Sequence, residues 1–442
     1  MNLSAPELLE KIRQQFDQAP YPTNPIEQSP KHVYEALFVH SLVTPYYLKY
    51  QQVIDTNGKL ILDVGCGTGY MALALAEANP GAKIVGIDLS EASIDLARKR
   101  LQYHGFVDSE FHTLSIEDLP SLGLQFDYIN CDETLYLLPD LNAALQAMKS
   151  VLKPNGIIRG NLHSAIQRQP YYRAQKLFRM LGLMEGQPGD MEAEIAIATV
   201  KSLKENIDLR AKTWDLDVSK APEVKSEALM NYLLQGDKGF TIPEMFAALD
   251  AADLEFLSMV NWRQWDLLDL FKEPDNLPVF WQLSFSEVPL RERLQLFELI
   301  HSQHRLLDFW CTHSSEPVEM RSVADWEDAD WDRAIVQIHP ILSSEPIKSE
   351  LLSTVAQYKP FEISKYVQAS TRSIIEIEAN QAACLLPLWE APQTLKTLAE
   401  RWLKIQPVNP ITLEPVNPQQ AREEIKILLS SLEIFLYVLL SQ

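Results

Sequence analysis

The 442-residue sequence has few cysteines, and they are scattered. No CxxC pair includes any of the four, which are Cys66, Cys131, Cys311 and Cys384. A disulfide framework or a structural zinc site needs clustered thiols, so we expect neither. His301, His304 and His313 are close in sequence, but no compact ligand motif completes them, and we expect no bound metal.

Long apolar runs are also missing. The longest, ILLSSLEIFLYVLL from Ile427 to Leu440, contains Glu433 and is too short to span a bilayer. We expect it to form a buried C-terminal helix, and the alternative is a helix lying in a membrane interface. The N-terminal MNLSAPELLEKIRQQFDQ has a helical pattern but lacks the apolar core of a signal peptide. These features predict a cytoplasmic protein without a membrane span.

Basic residues are outnumbered: 39 Lys and Arg stand against 60 Asp and Glu, for a formal net charge of −21. An acidic surface repels phosphate backbones, so a nucleic acid is not the expected partner. The negative net charge instead favours a substrate that presents a basic or neutral surface. Hydrophobic residues make up 46% and charged residues 22%, which excludes a disordered or fibrous chain. The length predicts about three domains.

Glycine is scarce and unevenly placed. Six of the 15 glycines fall between Gly58 and Gly86, and none follows Gly239. A backbone that closely approaches a cofactor needs residues without side chains, so we expect the cofactor site in the N-terminal third. There the segment LILDVGCGTGYMALALAEANPGAKIVGID has the pattern of strand, glycine turn, helix and second strand, and it ends in Asp88.

The turn GCGTG has a GxGxG spacing, whereas a dinucleotide fingerprint GxGxxG would need glycine where Tyr70 stands. Asp63 ends the preceding strand, and its carboxylate suits an ammonium group better than a pyrophosphate. Asp88 can accept hydrogen bonds from both hydroxyls of a ribose. An ammonium and a ribose at these two positions describe S-adenosylmethionine. The alternative is that the glycines only form a tight turn in an α/β domain.

This segment resembles motif I of the class I S-adenosylmethionine-dependent methyltransferases, and the resemblance continues to the segment GIIRGNLHS, residues 156–164. It implies an α/β fold with a Rossmann-like doubly wound sheet, S-adenosylmethionine as cofactor and S-adenosylhomocysteine as product. The cofactor-binding residues that it implies are Tyr21, Asp63, Gly65, Cys66, Gly67, Gly69, Asp88, Leu89, Ser115, Ile116 and Cys131.

The resemblance implies specific roles for Ser115 and Cys131. Ser115 stands where many family members carry an acid that binds the adenine amino group, so the backbone around Ile116 is expected to hold adenine, with Glu117 or Asp118 nearby. The Cys131 carbonyl is expected to meet the methionine end of the cofactor. As a side chain Cys131 could be a nucleophile, but a cysteine at the end of a buried strand is more often a packing residue.

A narrower resemblance covers two further stretches. Residues 15–45 resemble the Tyr-Asp-x-x-Pro-Tyr segment of methyltransferases with a methyltransferase regulatory domain, with Phe16 in place of Tyr, and residues 230–260 resemble part of that domain. Rickettsial protein-lysine methyltransferases belong to this group, and cyanobacterial homologues are similar. One departure is CDETLYLL, which replaces a His-Gly-x-Tyr-Ser-Trp-type loop beside the substrate.

This resemblance implies three units. They are a methyltransferase domain with an N-terminal lid (1–165), a mostly helical middle or regulatory substrate domain (166–330), and a small C-terminal winged-helix-like or helical domain (331–442). The acidic stretch at residues 314–334 has the composition of an interdomain linker. We expect residues beyond 165 to choose the substrate, and the alternative is that they only form a homodimer.

Methyl transfer is an in-line displacement in which the protein mainly positions the nucleophile. Ligands bind at the carboxyl ends of the strands in doubly wound sheets, which nominates Glu133 and Tyr136 after the fourth strand and His163 after the fifth as catalytic candidates. His163 could equally be structural. The predicted function is methylation of a protein side chain, at lysine or another N or O acceptor. The alternatives are a small-molecule methyltransferase and a degenerate cofactor-binding module.

Overall fold

An eight-stranded sheet forms the centre of the protein, whose computed structural model describes residues 4–214, 223–314, 321–368 and 373–442. Its strands are β1 (Leu60–Val64), β2 (Lys83–Asp88), β3 (Glu110–Thr113), β4 (Phe126–Cys131), β5 (Leu152–Ser164), β6 (Gly239–Phe240), β7 (Leu254–Met259) and β8 (Leu306–His313). Their order is β3-β2-β1-β4-β5-β8-β7, and β6 pairs with β5. Strands β1 to β5 run parallel, whereas β8 is antiparallel to β5 and β7. The predicted α/β, Rossmann-like doubly wound sheet is confirmed.

Helices cover both faces of this sheet. The helices up to residue 300 are α1 (Ala5–Gln18), α2 (Tyr34–His40), α3 (Val43–Tyr50), α4 (Tyr70–Ala78), α5 (Glu91–Tyr103), α6 (Leu141–Ser150), α7 (Gln169–Met180), α8 (Asp190–Ser202), α9 (Asp208–Thr213), α10 (Glu223–Tyr232), α11 (Ile242–Ala251), α12 (Val279–Ser284) and α13 (Leu290–Ile300). Side chains of α1, α6, α11 and α13 pack on one face, and those of α3, α4 and α5 on the other. Because successive strand residues point to opposite faces, Leu62 joins the first layer and Ile61 the second.

The register of the central strands brings the predicted site residues to one edge. Asp63 in β1 is paired with Gly86 in β2 and with Asn130 in β4. All six residues of β4 are buried, as expected for a parallel strand covered on both sides. The carboxyl ends of β1, β2, β4 and β5 therefore meet where the glycine turn begins.

The sheet continues past the predicted boundary at residue 165. Strands β7 and β8 lie within the predicted middle unit 166–330, yet β8 pairs with β5 along seven residue positions, from Ile157–Thr312 to His163–Leu306. A fragment that ends at residue 165 would leave one edge of β5 unpaired and apolar side chains of β8 missing from the core. Helices α7 to α10 form a separate apolar cluster within the middle unit.

The C-terminal part contains both helices and strands. Its elements are α14 (Asp328–Arg333), β9 (Ile335–Ile338), α15 (Glu345–Ala356), β10 (Phe361–Glu362), β11 (Glu376–Ile377), α16 (Ala379–Leu385), β12 (Gln393–Thr394), α17 (Leu395–Ile405), α18 (Pro418–Glu433) and β13 (Val438–Ser441). Three strands form a sheet ordered β12-β9-β13, and β10 pairs with β11. The hydrophobic core of the C-terminal part includes Phe38 of α2 and Tyr47 of α3, so these two N-terminal helices pack against the C-terminal part.

Two local predictions differ from this part of the structure. The apolar run at 427–440 is not one helix: α18 ends at Glu433, and the run finishes in β13, which is buried against β9. The expected linker at 314–334 contains α14, and its described part buries Trp326 and Trp331 in the C-terminal core. Within the described ranges, no helix has the length and apolarity to cross a membrane.

Candidate active site

A cavity of about 740 Å³ opens at the carboxyl ends of β1, β2, β4 and β5. Its wall includes Gly65 after β1, Leu89 after β2, Asp132 after β4 and His163 near the end of β5. Tyr21 and apolar side chains of α1 line it from the other side. The position is the usual ligand site of a doubly wound sheet, and the volume lies within the roughly 300–1,000 Å³ of small-molecule pockets.

The glycine turn allows close approach of backbone from another segment. Gly65 and Gly67 have φ values of 70° and 49°, and both line the cavity. A Cβ at position 67 would overlap the carbonyl oxygen of Tyr21. Gly69 (φ 80°) does not line the cavity: a Cβ there would lie 2.7 Å from the Cα of Ala97, so this glycine allows α4 to pack against α5.

Asp88 faces the same turn. Its Oδ2 accepts a hydrogen bond from the Gly67 amide at 2.9 Å, and its Oδ1 accepts one from the Ser90 amide at 2.8 Å. Burial raises the pKa of the Asp88 carboxyl despite these donors. Each oxygen keeps a second lone pair, so the pair of ribose hydroxyls expected from the sequence can still be bound.

The far end of the cavity contains the predicted adenine residues. Ser115 and Ile116 line it, together with Glu117, whereas Asp118 does not. Cys66 of the glycine turn also lines the cavity. The Ser115 hydroxyl is hydrogen-bonded to the Glu117 carboxylate and accepts a bond from the Glu117 amide at 3.3 Å. An acid therefore lies beside the cavity two residues after the position where the family usually carries one.

Cys131 does not line the cavity. Its side chain is fully buried in the sheet core. Cys131 pairs with Gly160 of β5, so the next residue, Asp132, forms the wall where strand β4 ends. Burial raises the pKa of the Cys131 thiol well above its ordinary value, and its position in the sheet core is that of a packing residue.

Asp63 has one satisfied and one free oxygen. Its Oδ1 accepts a hydrogen bond from Asn130 Nδ2 at 2.8 Å, while its Oδ2 is buried and has no partner. Burial raises the pKa of this carboxyl to about 7. A buried acceptor without a donor is costly, so the arrangement fits a ligand that brings an ammonium group to Asp63.

A buried arginine supports the floor of the cavity. Arg159 of β5 donates to Asp308 of β8 through Nε at 3.0 Å and Nη2 at 2.7 Å, and it donates to Asn130 Oδ1 at 3.1 Å. It also lies 3.4 Å from Asp132 Oδ1. The guanidinium thereby orients Asn130, which in turn bonds Asp63, so β8 contributes to the cofactor end through these contacts.

A second arginine fixes the N-terminal segment over the glycine turn. Arg100 of α5 donates to the carbonyl oxygens of Asn24, Pro25 and Thr68 at 2.6–2.9 Å. Thr68 also bonds this segment, since its hydroxyl donates to the Pro22 carbonyl at 2.7 Å. These contacts hold residues 20–26 against the turn.

The three catalytic candidates come together at the other end of the cavity. Tyr136 donates to Glu133 Oε2 at 2.7 Å, and its ring stacks on His163 with centroids 3.6 Å apart. Arg305, which directly precedes β8, donates to both Glu133 oxygens and lies 3.0 Å from His163 Nε2. The amide of Glu133 donates to Asn161 at 2.8 Å, which fixes the loop after β4.

These contacts decide the charge of Glu133. Burial alone would raise its pKa, but the hydrogen bonds from Arg305 and Tyr136 and the Arg305 charge oppose burial and hold the pKa far below its ordinary value. His163 Nε2 lies 3.7 Å from Glu133 Oε2, which is too far for a hydrogen bond. Burial and the Glu133 carboxylate raise the pKa of Tyr136 well above its ordinary value. Glu133 is therefore a fixed anion and Tyr136 a neutral donor at neutral pH.

Sequence reasoning missed Arg305 and Asp237, which complete this end. Asp237 accepts a hydrogen bond from His163 Nδ1 at 2.7 Å and has a fully buried side chain. Asp237 lies in the segment QGDKGF, between Gly236 and Gly239. This pattern indicates a tight turn that carries a charged side chain and could have pointed to Asp237. The sequence around Arg305 gives no indication of a site residue, because it does not show that β8 pairs with β5.

The histidines around residue 301 have structural contacts. His304 stacks on Trp265 with centroids 4.4 Å apart. Across the described ranges, no group of three or more His, Cys, Asp or Glu side chains is arranged to hold a metal ion.

Comparison with known proteins adds to this geometry. Residues 55–215 match a family model described as a methyltransferase domain. An uncharacterized protein of Synechococcus sp. is 26% identical over 345 residues, which is 76% of each chain. A ubiquinone biosynthesis O-methyltransferase of Actinobacillus pleuropneumoniae is 36% identical over 124 residues, but these cover only 26% of this chain and 52% of that protein.

The fold is similar to that of PKMT2 from Rickettsia typhi in complex with AdoHcy. The TM-score is 0.61 at 18% identity, and the match covers 96% of this chain and 77% of PKMT2. Residues 55–215 are thus a methyltransferase domain, and the resemblance to class I methyltransferases is confirmed. The chain is an S-adenosylmethionine-dependent methyltransferase, and the free oxygen of Asp63 and the close approach at Gly67 fit that cofactor.

Proposed function

We propose that this enzyme methylates an amino group of a protein side chain, with lysine as the first candidate. The observation that carries the proposal is the chemistry of the acceptor end of the cavity. Three aromatic rings, Tyr21, Tyr136 and Tyr171, line it together with the carboxylates Glu133 and Glu227. Aromatic faces and carboxylates both attract cations, so this end suits an ammonium group.

The charges along the whole wall favour the same class of acceptor. Six acids line the cavity, namely Asp63, Asp88, Glu117, Asp132, Glu133 and Glu227. The arginines in the wall are Arg13, Arg168 and Arg305, and each is paired with a carboxylate, on Asp17, Asp237 and Glu133 respectively. The remaining negative potential attracts a cationic side chain and repels an anionic one.

Glu133 has a direct role in this proposal. S-adenosylmethionine, when bound, supplies a methyl group activated by its sulfonium. The amine loses its ammonium proton to solvent before transfer, its lone pair forms the new N–C bond, and the C–S electron pair stays on sulfur. A fixed carboxylate at Glu133 stabilises the positive charge that appears on the acceptor nitrogen. A hydroxyl acceptor would instead need a base, and Glu133 is a poor one.

The cofactor residues and the domain roles belong to the same proposal. Asp63 binds the ammonium and Asp88 the ribose of the cofactor, while Ile116 and its neighbours hold adenine and Tyr21 closes the site. Residues beyond 165 choose the acceptor, because Tyr171 and Glu227 come from α7 and α10. The fold likeness to PKMT2 extends over the residues beyond 165 as well, since the match covers 96% of this chain.

A small molecule is the second candidate. The name of the Actinobacillus relative, a ubiquinone biosynthesis O-methyltransferase, favours it, but that match takes in 26% of this chain. Incubating the full chain with methyl-labelled S-adenosylmethionine and lysate of the source organism separates the two. Label in precipitated protein, recovered as methyl-lysine, supports our proposal. Label only in the small-molecule fraction contradicts it, and the absence of enzyme-dependent label from both fractions indicates a binding module.

The charge argument can be tested without an acceptor. Sinefungin carries an amino group where S-adenosylmethionine carries its methylsulfonium, and S-adenosylhomocysteine has neither. We expect sinefungin to bind more tightly than S-adenosylhomocysteine, and we expect Glu133→Gln to remove that difference while leaving S-adenosylhomocysteine affinity unchanged. Equal affinities in the native protein would contradict a cation site at Glu133.

A further inference from the structure

Asp237 is a carboxylate whose side chain is fully buried beside His163 and does not line the cavity. Its Oδ1 accepts a hydrogen bond from His163 Nδ1 at 2.7 Å. Its Oδ2 accepts from Arg168 Nη2 at 3.1 Å and from Gln175 Nε2 at 2.8 Å. The exposed fractions of the Asp237 and Arg168 side chains are 0% and 1%, so water does not compete with these bonds.

The other nitrogen of the same imidazole meets a second arginine. His163 Nε2 lies 3.0 Å from Arg305 Nη1, and a guanidinium nitrogen is always a donor. Nε2 can accept this bond only when it carries no proton, which requires the proton to be on Nδ1. The bond to Asp237 favours that tautomer, because a carboxylate cannot donate to Nδ1.

We propose that Asp237 is a positioning residue: it holds His163 as the Nδ1-protonated tautomer, so that Nε2 accepts the Arg305 N–H and keeps Arg305 on Glu133. His163 then links two arginine–carboxylate pairs, Arg168 with Asp237 and Arg305 with Glu133. Its importance for turnover rests on the proposed function, whereas the tautomer itself does not.

The substitution Asp237→Asn should reverse the tautomer with little change of shape. Two donors, on Arg168 and Gln175, face the present Oδ2, so the asparagine must direct its carbonyl oxygen toward them. Its amide group then faces His163 Nδ1 and donates to it. The imidazole proton moves to Nε2. Nε2 and Arg305 are then both donors and cannot hydrogen-bond, so Arg305 loses its contact with the histidine.

The test is nitrogen NMR on the full chain labelled with ¹⁵N-histidine at pH 8, since protonated and unprotonated ring nitrogens have well separated shifts. His163→Gln identifies the His163 signals among the nine histidines. Asp127→Asn is the control, because Asp127 is also a buried acid of this sheet but contacts lysines at the opposite end of β4. It should leave the His163 signals unchanged.

We expect Nδ1 protonated in the native protein and Nε2 protonated in Asp237→Asn. A native His163 protonated on Nε2, or on both nitrogens, overturns the proposal, and so does Asp237→Asn with Nδ1 still protonated. If that variant does not fold, Arg305→Met decides: a retained Nδ1 proton shows that Asp237 sets the tautomer, and its loss shows that Arg305 does.

Turnover gives a separate readout once label transfer is detected. Asp237→Asn should lower kcat by about tenfold or more, as expected for a wrong histidine tautomer, and leave the KM for S-adenosylmethionine unchanged. In an Arg305→Met background the same substitution should have no further effect, because both changes break one chain of contacts. If the two substitutions instead lowered kcat by factors that multiply in the double variant, Asp237 would not act through Arg305.

Discussion

Replacing Asp63 by asparagine should stabilise the ligand-free protein while weakening its binding of the cofactor. Asp63 is 2% exposed, one of its oxygens is bonded to Asn130, and the other is buried without a donor. Asparagine has nearly the same shape and can keep the bond to Asn130 with its carbonyl oxygen. It removes the buried negative charge, which the nearby Arg159 offsets only in part.

The pKa of the carboxyl gives the size of the effect. Burial raises this pKa from 3.8 to about 7 in the folded protein. Each pKa unit corresponds to 1.36 kcal/mol, so the charged form costs the fold about 4 kcal/mol as an upper bound. The protonated group imposes no such cost below about pH 4. Stability is lost as the pH rises toward 7, and above pH 7 the whole cost is present.

The assay is the thermal unfolding midpoint of ligand-free native protein and Asp63→Asn at pH 5 and pH 8. We expect the variant to gain more stability over the native protein at pH 8 than at pH 5. Titration calorimetry with S-adenosylhomocysteine at pH 8 should show weaker binding to the variant by about 1.5–3 kcal/mol, the usual contribution of a hydrogen bond to a charged group.

Asp127→Asn is the matched control, since it makes the same change in the neighbouring strand. Burial raises the pKa of Asp127, but the Leu60 amide at 2.9 Å and Lys153 at 2.7 Å outweigh it and lower the pKa. A lowered pKa stabilises the fold above the ordinary pKa, so this variant should lose stability at pH 8 and be affected less as the pH falls. Equal pH profiles for the two variants, or unchanged affinity in Asp63→Asn, would refute the reasoning.

Other substitutions test the remaining contacts. Asp88→Ala should weaken S-adenosylhomocysteine binding by about 1–3 kcal/mol in titration calorimetry, because two ribose hydroxyls lose their acceptor, and unchanged affinity would exclude Asp88 as the ribose ligand. Arg100→Met removes the donor from three carbonyl oxygens, so it should speed amide hydrogen exchange in residues 20–26 and weaken cofactor binding. Unaltered exchange would show that other contacts hold this segment. Gly67→Ala should abolish cofactor binding while α4 and α5 stay folded by circular dichroism, and full binding by that variant would contradict the close approach at the turn.

Local sequence was sufficient to predict the strands and the glycine turn at the predicted cofactor end of the cavity. The pattern of LILDV, GCGTG and KIVGID contains strand, turn and strand within 30 residues, and each element formed where the pattern placed it. Because parallel strands bring their carboxyl ends to one edge, the sequence pattern alone predicts that Asp63, Asp88 and Glu133 lie near one ligand. Gly69 and Cys131 do not line the cavity, because helix packing and strand pairing, which depend on neighbouring elements, determine their positions.

The acceptor half was decided by tertiary structure. His163 is bonded to Asp237, 74 residues away, and to Arg305, 142 residues away. The pairing of β8 with β5 brings Arg305 to Glu133, and the same pairing extends the sheet across the boundary expected at residue 165. Likewise, the apolar run at 427–440 ends in a strand because β9 offers a free edge. Strand and helix preferences act over a few residues, whereas these contacts depend on which distant segments share a core, and a single sequence does not record that.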